Sequence, residues 1–170
     1  MYFSDYRAIE RTYQLVTQVS GRAGRSEKKG QVIVQTYSPN HYLFNFLKNN
    51  DYNGFFDKEL NTRQLTKFPP FSTIVRVLIS SVEETKCVEL AKQIYYHCKD
   101  IKLHNEEEFD YLQAMKAPLA KLQTRYRYQI IMRIKRNKEN EILNCLYNAV
   151  DNCSIKGASA FVEINPQSMS

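Results

Sequence analysis

Phe68-Pro69-Pro70-Phe71 is the segment that most constrains how this chain can fold. Each proline lacks a backbone N–H, fixes its own φ and steers the residue before it away from helical backbone. A helical pattern arriving from residues 40–65 must therefore stop here, and the tetrapeptide separates a segment 1–65 from a segment 66–170. Beyond it the apolar period switches between two and 3.6 in a readable order. A strand is expected over 72–81, and Ser81 with Glu84 makes a capping box that opens a helix. That helix carries Cys87, Val88, Ala91, Ile94, Tyr95 and Cys98 on one face. Strands follow at about 111–117 and 125–136. A second helix over about 138–153, with Ile142, Leu143, Leu146, Ala149 and Val150 inward, leads to a last strand at about 160–165. The order β-α-β-β-α-β predicts an α+β domain of the ferredoxin-like, split βαβ kind, an antiparallel sheet with both helices on one face.

The segment before the prolines reads differently. A helix is expected over 5–20, started by an Asp5 cap and carrying Ile9, Tyr13, Val16 and Val19 at helical spacing. Residues 26–30 are polar and turn-like, and Gln31–Tyr37 (QVIVQTY) is β-branched and reads as a strand. Two helices should fill 40–65, broken near Asn49-Asn50. Tyr42, Phe46 and Leu47 face inward from the first, and Tyr52, Phe55, Phe56 and Leu60 from the second. Tyr2, Phe3 and the aromatics of 37–56 form an apolar surface that invites dimerisation where it is left uncovered.

Composition narrows the function classes. Lysine and arginine outnumber acidic residues by 24 to 18, a net charge of +6 that favours polyanion partners. No apolar run approaches the length that crosses a membrane, and no charged-then-apolar leader is present. The four cysteines form no C-x-x-C pair; Cys87, Cys98 and Cys145 fall on apolar stripes, where a free thiol behaves as a small hydrophobe. The expectation is a reduced, cytoplasmic protein without a metal site. His41, His104 and the Tyr95-Tyr96-His97 run have no partner constellation and read as structural or surface residues.

Two arginines and two glycines stand where the first helix is expected to end, in Gln18-Val19-Ser20-Gly21-Arg22-Ala23-Gly24-Arg25. Gly21 and Gly24 let backbone turn sharply and approach a ligand closely. Arg22 and Arg25, three apart, would present two planar guanidiniums to one side, an arrangement suited to phosphate oxygens. A basic turn between helix and strand is the plainer reading of two arginines alone. The whole string Q-x-x-G-R-A-G-R resembles motif VI of superfamily-two helicases. Asp5-Tyr6-Arg7-Ala8, Glu10-Arg11, Gln14-Leu15, Gly30–Tyr37, Phe68–Ser72, Arg125–Gln129 and Pro166-Gln167-Ser168-Met169 are together similar to the PriA-type primosomal protein N′ family of replication-restart helicases.

That resemblance implies that 1–65 is the C-terminal end of a second RecA-like helicase lobe, and that 66–170 is the family's C-terminal domain. It implies an ATP-dependent 3′–5′ DNA helicase that recognises stalled or abandoned forks and promotes primosome assembly. ATP and magnesium are the implied cofactors. Arg25 would be the arginine finger, Arg22 a second γ-phosphate contact, and Gln18 the residue orienting the loop or the attacking water. Branched and single-stranded DNA, single-stranded-DNA-binding protein and primosome or helicase-loading proteins are the implied partners. The family's zinc-binding, cysteine-rich insertion has no counterpart here. No G-x-x-x-x-G-K-[ST] loop occurs either, so this chain alone is not expected to hydrolyse ATP.

From Tyr111 to Lys138 there are eight basic residues and no acidic one, preceded by Glu106-Glu107-Glu108 and Asp110, which read as a solvated loop. Along 125–136 period two separates Tyr126, Tyr128, Ile130, Met132 and Ile134 from Arg125, Arg127, Arg133 and Lys135. The tyrosines should pack under the helices. Arg125, Arg127, Arg133 and Lys135, with Arg76 of the first strand, should line the uncovered face and contact DNA phosphates without reading sequence. Two other uses of that face compete: a non-enzymatic nucleic-acid-binding module, and a structural surface docked on the helicase lobe.

Overall fold

The structure is a computed structural model and describes residues 5–23 and 31–168. The chain divides into two units, Met1–Thr66 and Lys67–Ser170.

In the first unit, α1 (Ala8–Ala23), α2 (Tyr42–Asn49) and α3 (Tyr52–Thr66) surround a small aromatic core. Asp5 starts α1, its carboxylate accepting the Arg7 N–H at 3.1 Å, a typical capping device. Among the described residues Tyr13, Leu43 and Phe55 are the buried apolar ones, and the Tyr13 and Phe55 rings stack at 4.2 Å. α2 ends where Asn50 takes left-handed backbone, φ 55°, and its N–H reaches back to the helix carbonyls. Tyr52 and Phe56, expected inward on α3, are more than half or half exposed. Residues 31–37 form no strand: they have no regular secondary structure and are exposed, Ile33 90% so. A strand is held by ladder partners, and no described segment of this unit lies beside 31–37 as one. α1 runs three residues beyond the expected end, so Gly21 and Arg22 are helical rather than part of a loop.

In the second unit the prolines do what their chemistry requires. Lys67 takes φ 54° after α3, the Pro69–Pro70 peptide is cis, and the Ser72 hydroxyl donates to the Lys67 carbonyl at 2.7 Å, closing the turn. Then come β1 (Thr73–Ser81), α4 (Glu84–His104), a short 3-10 turn at Glu106–Glu108, β2 (Phe109–Leu122), β3 (Arg125–Ile134), α5 (Glu139–Asn152) and β4 (Ala158–Ile164). The class is α+β. The sheet order is β2-β3-β1-β4, and every neighbouring pair is antiparallel.

Both helices cover one face of this sheet. Val75, Val77 and Ile79 of β1 and Ile130, Met132 and Ile134 of β3 pack with Leu90, Ala91, Ile94 and Cys98 of α4. Ile142, Leu143, Leu146 and Val150 of α5 complete that core. Tyr126 and Tyr128 pack against its margin, half-buried, on the same face. The expected capping box is absent. Ser81 is fully buried; its oxygen accepts the Glu83 N–H and donates to the Gly157 carbonyl at 3.0 Å, tying β1 to the start of β4 instead. Cys145, expected on an apolar stripe, is exposed, whereas Cys87 and Cys98 are buried.

Burial pushes the Cys98 thiol up to about 12 and raises Cys87 and Cys153 as well. Reaction requires thiolate and access. Alkylation of the native protein should therefore modify Cys145 first and leave Cys87 and Cys98 unmodified until denaturant is added. Mass spectrometry of timed samples reads this directly, and equal rates at Cys98 and Cys145 would contradict the packing described.

Candidate nucleic-acid interface

Phosphate contact requires cations that water can reach, so exposure decides which of the basic side chains qualify. Period two divides β3 as expected. Beyond the helix face, however, the second face of the sheet is filled over its middle. Ile74, Arg76 and Leu78 of β1 and Gln129, Ile131 and Arg133 of β3 are all buried there.

Arg76 and Arg133 therefore do not line an open surface. Arg76 is 5% exposed; it lies opposite Glu163 in the β1–β4 register and donates from Nε to Glu163 Oε2 at 2.5 Å. Arg133 is 9% exposed, its Nε 4.0 Å from Asp110 Oδ2 and its guanidinium over the Phe68 ring at 5.7 Å. A buried cation needs a nearby anion because its desolvation is otherwise uncompensated. These two arginines are partnered accordingly, and neither is offered to a ligand.

The remaining three sites keep access to solvent. Arg125 is half-buried and spans three strands. Its Nε donates to Ser80 Oγ at 3.2 Å, and its Nη2 donates to the Ser80 carbonyl at 3.1 Å and to Ser159 Oγ at 3.2 Å. Hydroxyls and a carbonyl leave its charge unneutralised. Arg127, half-buried and opposite Ser80 in the β1–β3 register, has no ion-pair partner among the described residues. Lys135 is exposed just past the end of β3; its backbone N–H donates to the Glu108 carbonyl at 2.8 Å.

Two lysines that the sequence reading counted but did not single out belong with these. Lys116 Nζ donates to Glu84 at 3.0 Å and sits 5.8 Å from the Tyr128 ring centre, while Lys121 lies 4.6 Å over the Tyr126 ring. The Lys116 hydrogen bond, helped by the Tyr128 hydroxyl, holds the Glu84 carboxyl below its ordinary range. Both lysines lie on a β2 that is longer than the sequence suggested, with a bulge between Lys116 and Lys121. Pro118 inside the run was the available signal, since proline in a strand marks an edge or a bulge.

On the first unit Gln18, Gly21 and Arg22 occupy the last turns of α1, all exposed. Gln18 and Arg22 are four apart and so share one side of the helix. A Cβ built on Gly21 would meet nothing within 4 Å, so packing among the described residues does not demand glycine there. Gly24 and Arg25 lie outside the described residues. No described helix is long and apolar enough to cross a membrane.

Residues 64–167 match the family described as Primosomal protein N C-terminal domain. The chain is also similar to curated proteins named replication restart protein PriA. It is 36% identical to that of Bacillus subtilis over 139 residues, 82% of this chain and 17% of the relative. It is 34% identical to that of Synechocystis over 77% of this chain and 15% of the relative. It is 28% identical to that of Borreliella burgdorferi over 95% of this chain and 24% of the relative. The chain thus spans less than a quarter of the length of these relatives.

Glu163→Ala removes the anion beside Arg76. Breaking a buried pair costs about 3–5 kcal/mol; because the Glu163 side chain is 31% exposed, the expected loss falls at or below the lower end of that range. Urea unfolding of wild type and variant measures it. A loss under about 0.5 kcal/mol, the size of an ordinary surface change, would mean that Arg76 reaches water unaided.

Proposed function

The chain belongs to the primosomal protein N family through its C-terminal domain, and from that membership we propose that it is the C-terminal part of an ATP-dependent 3′–5′ DNA helicase that acts in replication restart. The proposal gives the two units different tasks. The first unit ends a RecA-like lobe and brings arginines to ATP bound by the other lobe. The second unit holds DNA by its phosphates.

The observation that carries the DNA reading is the set of accessible cations on and beside the β2–β3 hairpin: Lys116, Lys121, Arg125, Arg127 and Lys135. Among the described residues, Glu84 is the only carboxylate ion-paired with any of the five. Contacts of this kind attract any phosphate backbone and release condensed counterions, so they supply affinity without sequence preference. Lack of preference suits an enzyme that must act wherever a fork has stopped. In the same reading single-stranded-DNA-binding protein and primosome-loading proteins are the partners.

For the nucleotide, Gln18 and Arg22 fit a role beside phosphate oxygens: both are exposed and on one side of α1. ATP with magnesium supplies the phosphoryl chemistry when bound. Arg25 stabilises the charge that develops on the γ-phosphate, Arg22 adds a second contact, and Gln18 orients the loop or the water. Among the described residues no group of three or more histidine, cysteine, aspartate or glutamate side chains is placed to hold a metal ion; the metal's protein ligands are assigned to the rest of the longer protein.

Two measurements test this. For the 170-residue chain, the logarithm of affinity for single-stranded DNA should fall with the logarithm of salt at a slope of about −2 to −4. Arg127→Ala/Lys135→Ala should make that slope shallower by about 1.4, whereas a buried Arg76→Met should leave it unchanged. Absence of binding at low salt would remove the DNA-contacting role. In a protein of the relatives' full length, Arg25→Ala should lower DNA-stimulated ATP turnover about 10³–10⁵-fold with DNA affinity retained. Near-normal turnover would remove Arg25 from the reaction.

A further inference from the structure

α1 and α3 each bring a stripe of side chains to one recess of the first unit, away from the α1 end that carries Gln18 and Arg22. From α1 come Glu10, Tyr13 and Gln14, spaced three and four apart and so on one side of the helix. From α3 come Tyr52, Phe55, Phe56, Glu59 and Arg63 at the same kind of spacing. The recess has a volume of about 90 Å³, room for a small group of heavy atoms and more than one water needs. Its rings form a continuous set. Phe55 stacks on Tyr13 at 4.2 Å, Tyr52 lies 6.0 Å from Tyr13, and Phe56 lies 6.4 Å from Tyr52. Tyr52 and Phe56, the two rings of α3 that the helical spacing placed inward but that stay half or more exposed, are the outer part of this set.

The charged groups lining the recess are Glu10, Glu59 and Arg63. Arg63 Nη2 donates to Glu10 Oε2 at 2.6 Å, so those two charges offset each other. Glu59 is left over. It is 8% exposed, and among the described residues it belongs to no ion pair. Its partner is the Tyr42 hydroxyl, which donates to Glu59 Oε1. Burial first, and then that bond, raise the Tyr42 hydroxyl above its ordinary range and keep it a neutral donor. Lys58, next along α3, lies over the Tyr42 ring at 5.9 Å. A hydrogen bond from a neutral phenol relieves part of the desolvation of Glu59 without cancelling its charge, and a buried carboxylate with no cation is costly.

The recess thus combines an acid that lacks a cation with aromatic faces that attract one. A phosphate would meet Glu59 unfavourably, and an apolar side chain would leave it unpaired. A guanidinium suits the site better than an ammonium, because it is planar, weakly hydrated, stacks on rings and donates in a fork to a carboxylate. We propose that this recess binds the guanidinium of an arginine side chain carried by a polypeptide, with Glu59 as counter-ion and the rings of Tyr13, Tyr52 and Phe56 as walls. The site is independent of the DNA-binding reading.

The probe is N-acetyl-arginine methylamide, added to the 170-residue chain while the ring-proton NMR shifts of Tyr13, Tyr52 and Phe56 are followed. The shifts should saturate with a Kd on the order of 1 mM, an affinity that one small group can supply. The citrulline analogue has the same shape without the charge and should bind about 10-fold more weakly. Glu59→Gln keeps an acceptor for Tyr42 and should weaken arginine binding by the same factor. Tyr52→Ala, at a ring more than half exposed, should weaken it about 3-fold with thermal unfolding unchanged. Absence of a saturable shift overturns the site, as does a folded Glu59→Gln of undiminished affinity. Citrulline binding as tightly as arginine overturns it too, and that comparison is made on wild type, so it holds even where Glu59→Gln fails to fold. Calorimetry on a protein of the relatives' full length then separates the sources of the arginine: retained binding assigns it to a separate polypeptide, and lost binding to another segment of the longer protein.

Discussion

The second unit is organised around a strand that is buried on both faces yet carries an arginine at its centre. Thr73 to Ile79 are all buried, and β1 pairs with β3 on one side and β4 on the other. A strand of this kind normally reads as an unbroken apolar run. Val75, Val77 and Ile79 face the helices, so Arg76 belongs to the opposite face, where Glu163 meets it across the β1–β4 register. A one-residue slip would exchange the faces of the whole strand and drive an unpaired guanidinium into the aliphatic core. The Arg76–Glu163 contact thus restricts the register more strongly than it stabilises the fold, since a buried ion pair roughly breaks even against apolar packing. Asn165 reinforces the same register past the end of β4: its N–H donates to the Ile74 carbonyl at 2.7 Å, and its Oδ1 accepts the Ile74 N–H at 3.0 Å.

Filling the second face has a consequence for charge. Arginines near the middle of the sheet are consumed by internal anions, so accessible cations are left only at the strand ends. At one end stand Lys116, Lys121, Arg125 and Arg127. At the other are Lys135 and Arg136, the latter donating to the Pro70 carbonyl at 3.3 Å and lying 3.7 Å from Glu139. A flat basic sheet face would meet a duplex along its length, whereas a charged hairpin end would meet it at a point. The placement of Arg76 and Arg133 therefore changes the geometry of any DNA contact as well as its inventory of residues.

Much of this fold was legible because periodicity and proline chemistry act locally. All five residues expected inward on α5 are buried, and the sheet's connectivity follows from the order of the elements. The misreadings share a different cause: each depended on something distant in sequence. Ser81 looked like a cap from its neighbours, but Gly157 gives it another partner. Arg76 and Arg133 alternate correctly with the apolar residues, and nothing local tells that Phe68, Asp110 and Glu163 come to meet them. The 31–37 run has the composition of a strand but no described ladder partner, and composition cannot supply one. Of the five basic sites expected on the sheet, the accessible three lie toward the ends of β3, where a period-two pattern says least about cover.

The first unit shows why Gln18 and Arg22, the described residues proposed to face nucleotide, are hard to read in isolation. Tyr13, Leu43 and Phe55 are its buried apolar side chains among the described residues, while Leu15, Val19, Ile33, Val34, Tyr37 and Leu65 are exposed. So small a core leaves little beyond the conformational entropy of ordering such a unit, and exposed apolar groups in this density mark a surface that another part of a protein covers. The relatives are four or more times longer than the matched segment, which is where such a cover would reside. Gln18 and Arg22 stand on the last turns of α1 beside two of those uncovered residues, Leu15 and Val19. Packing supplied to that side of α1 would also bear on the helix end that carries them. In the proposed reading, a cover over Leu15 and Val19 would also set where the Arg22 guanidinium points, so lobe packing and phosphate contact are expected to be won or lost together.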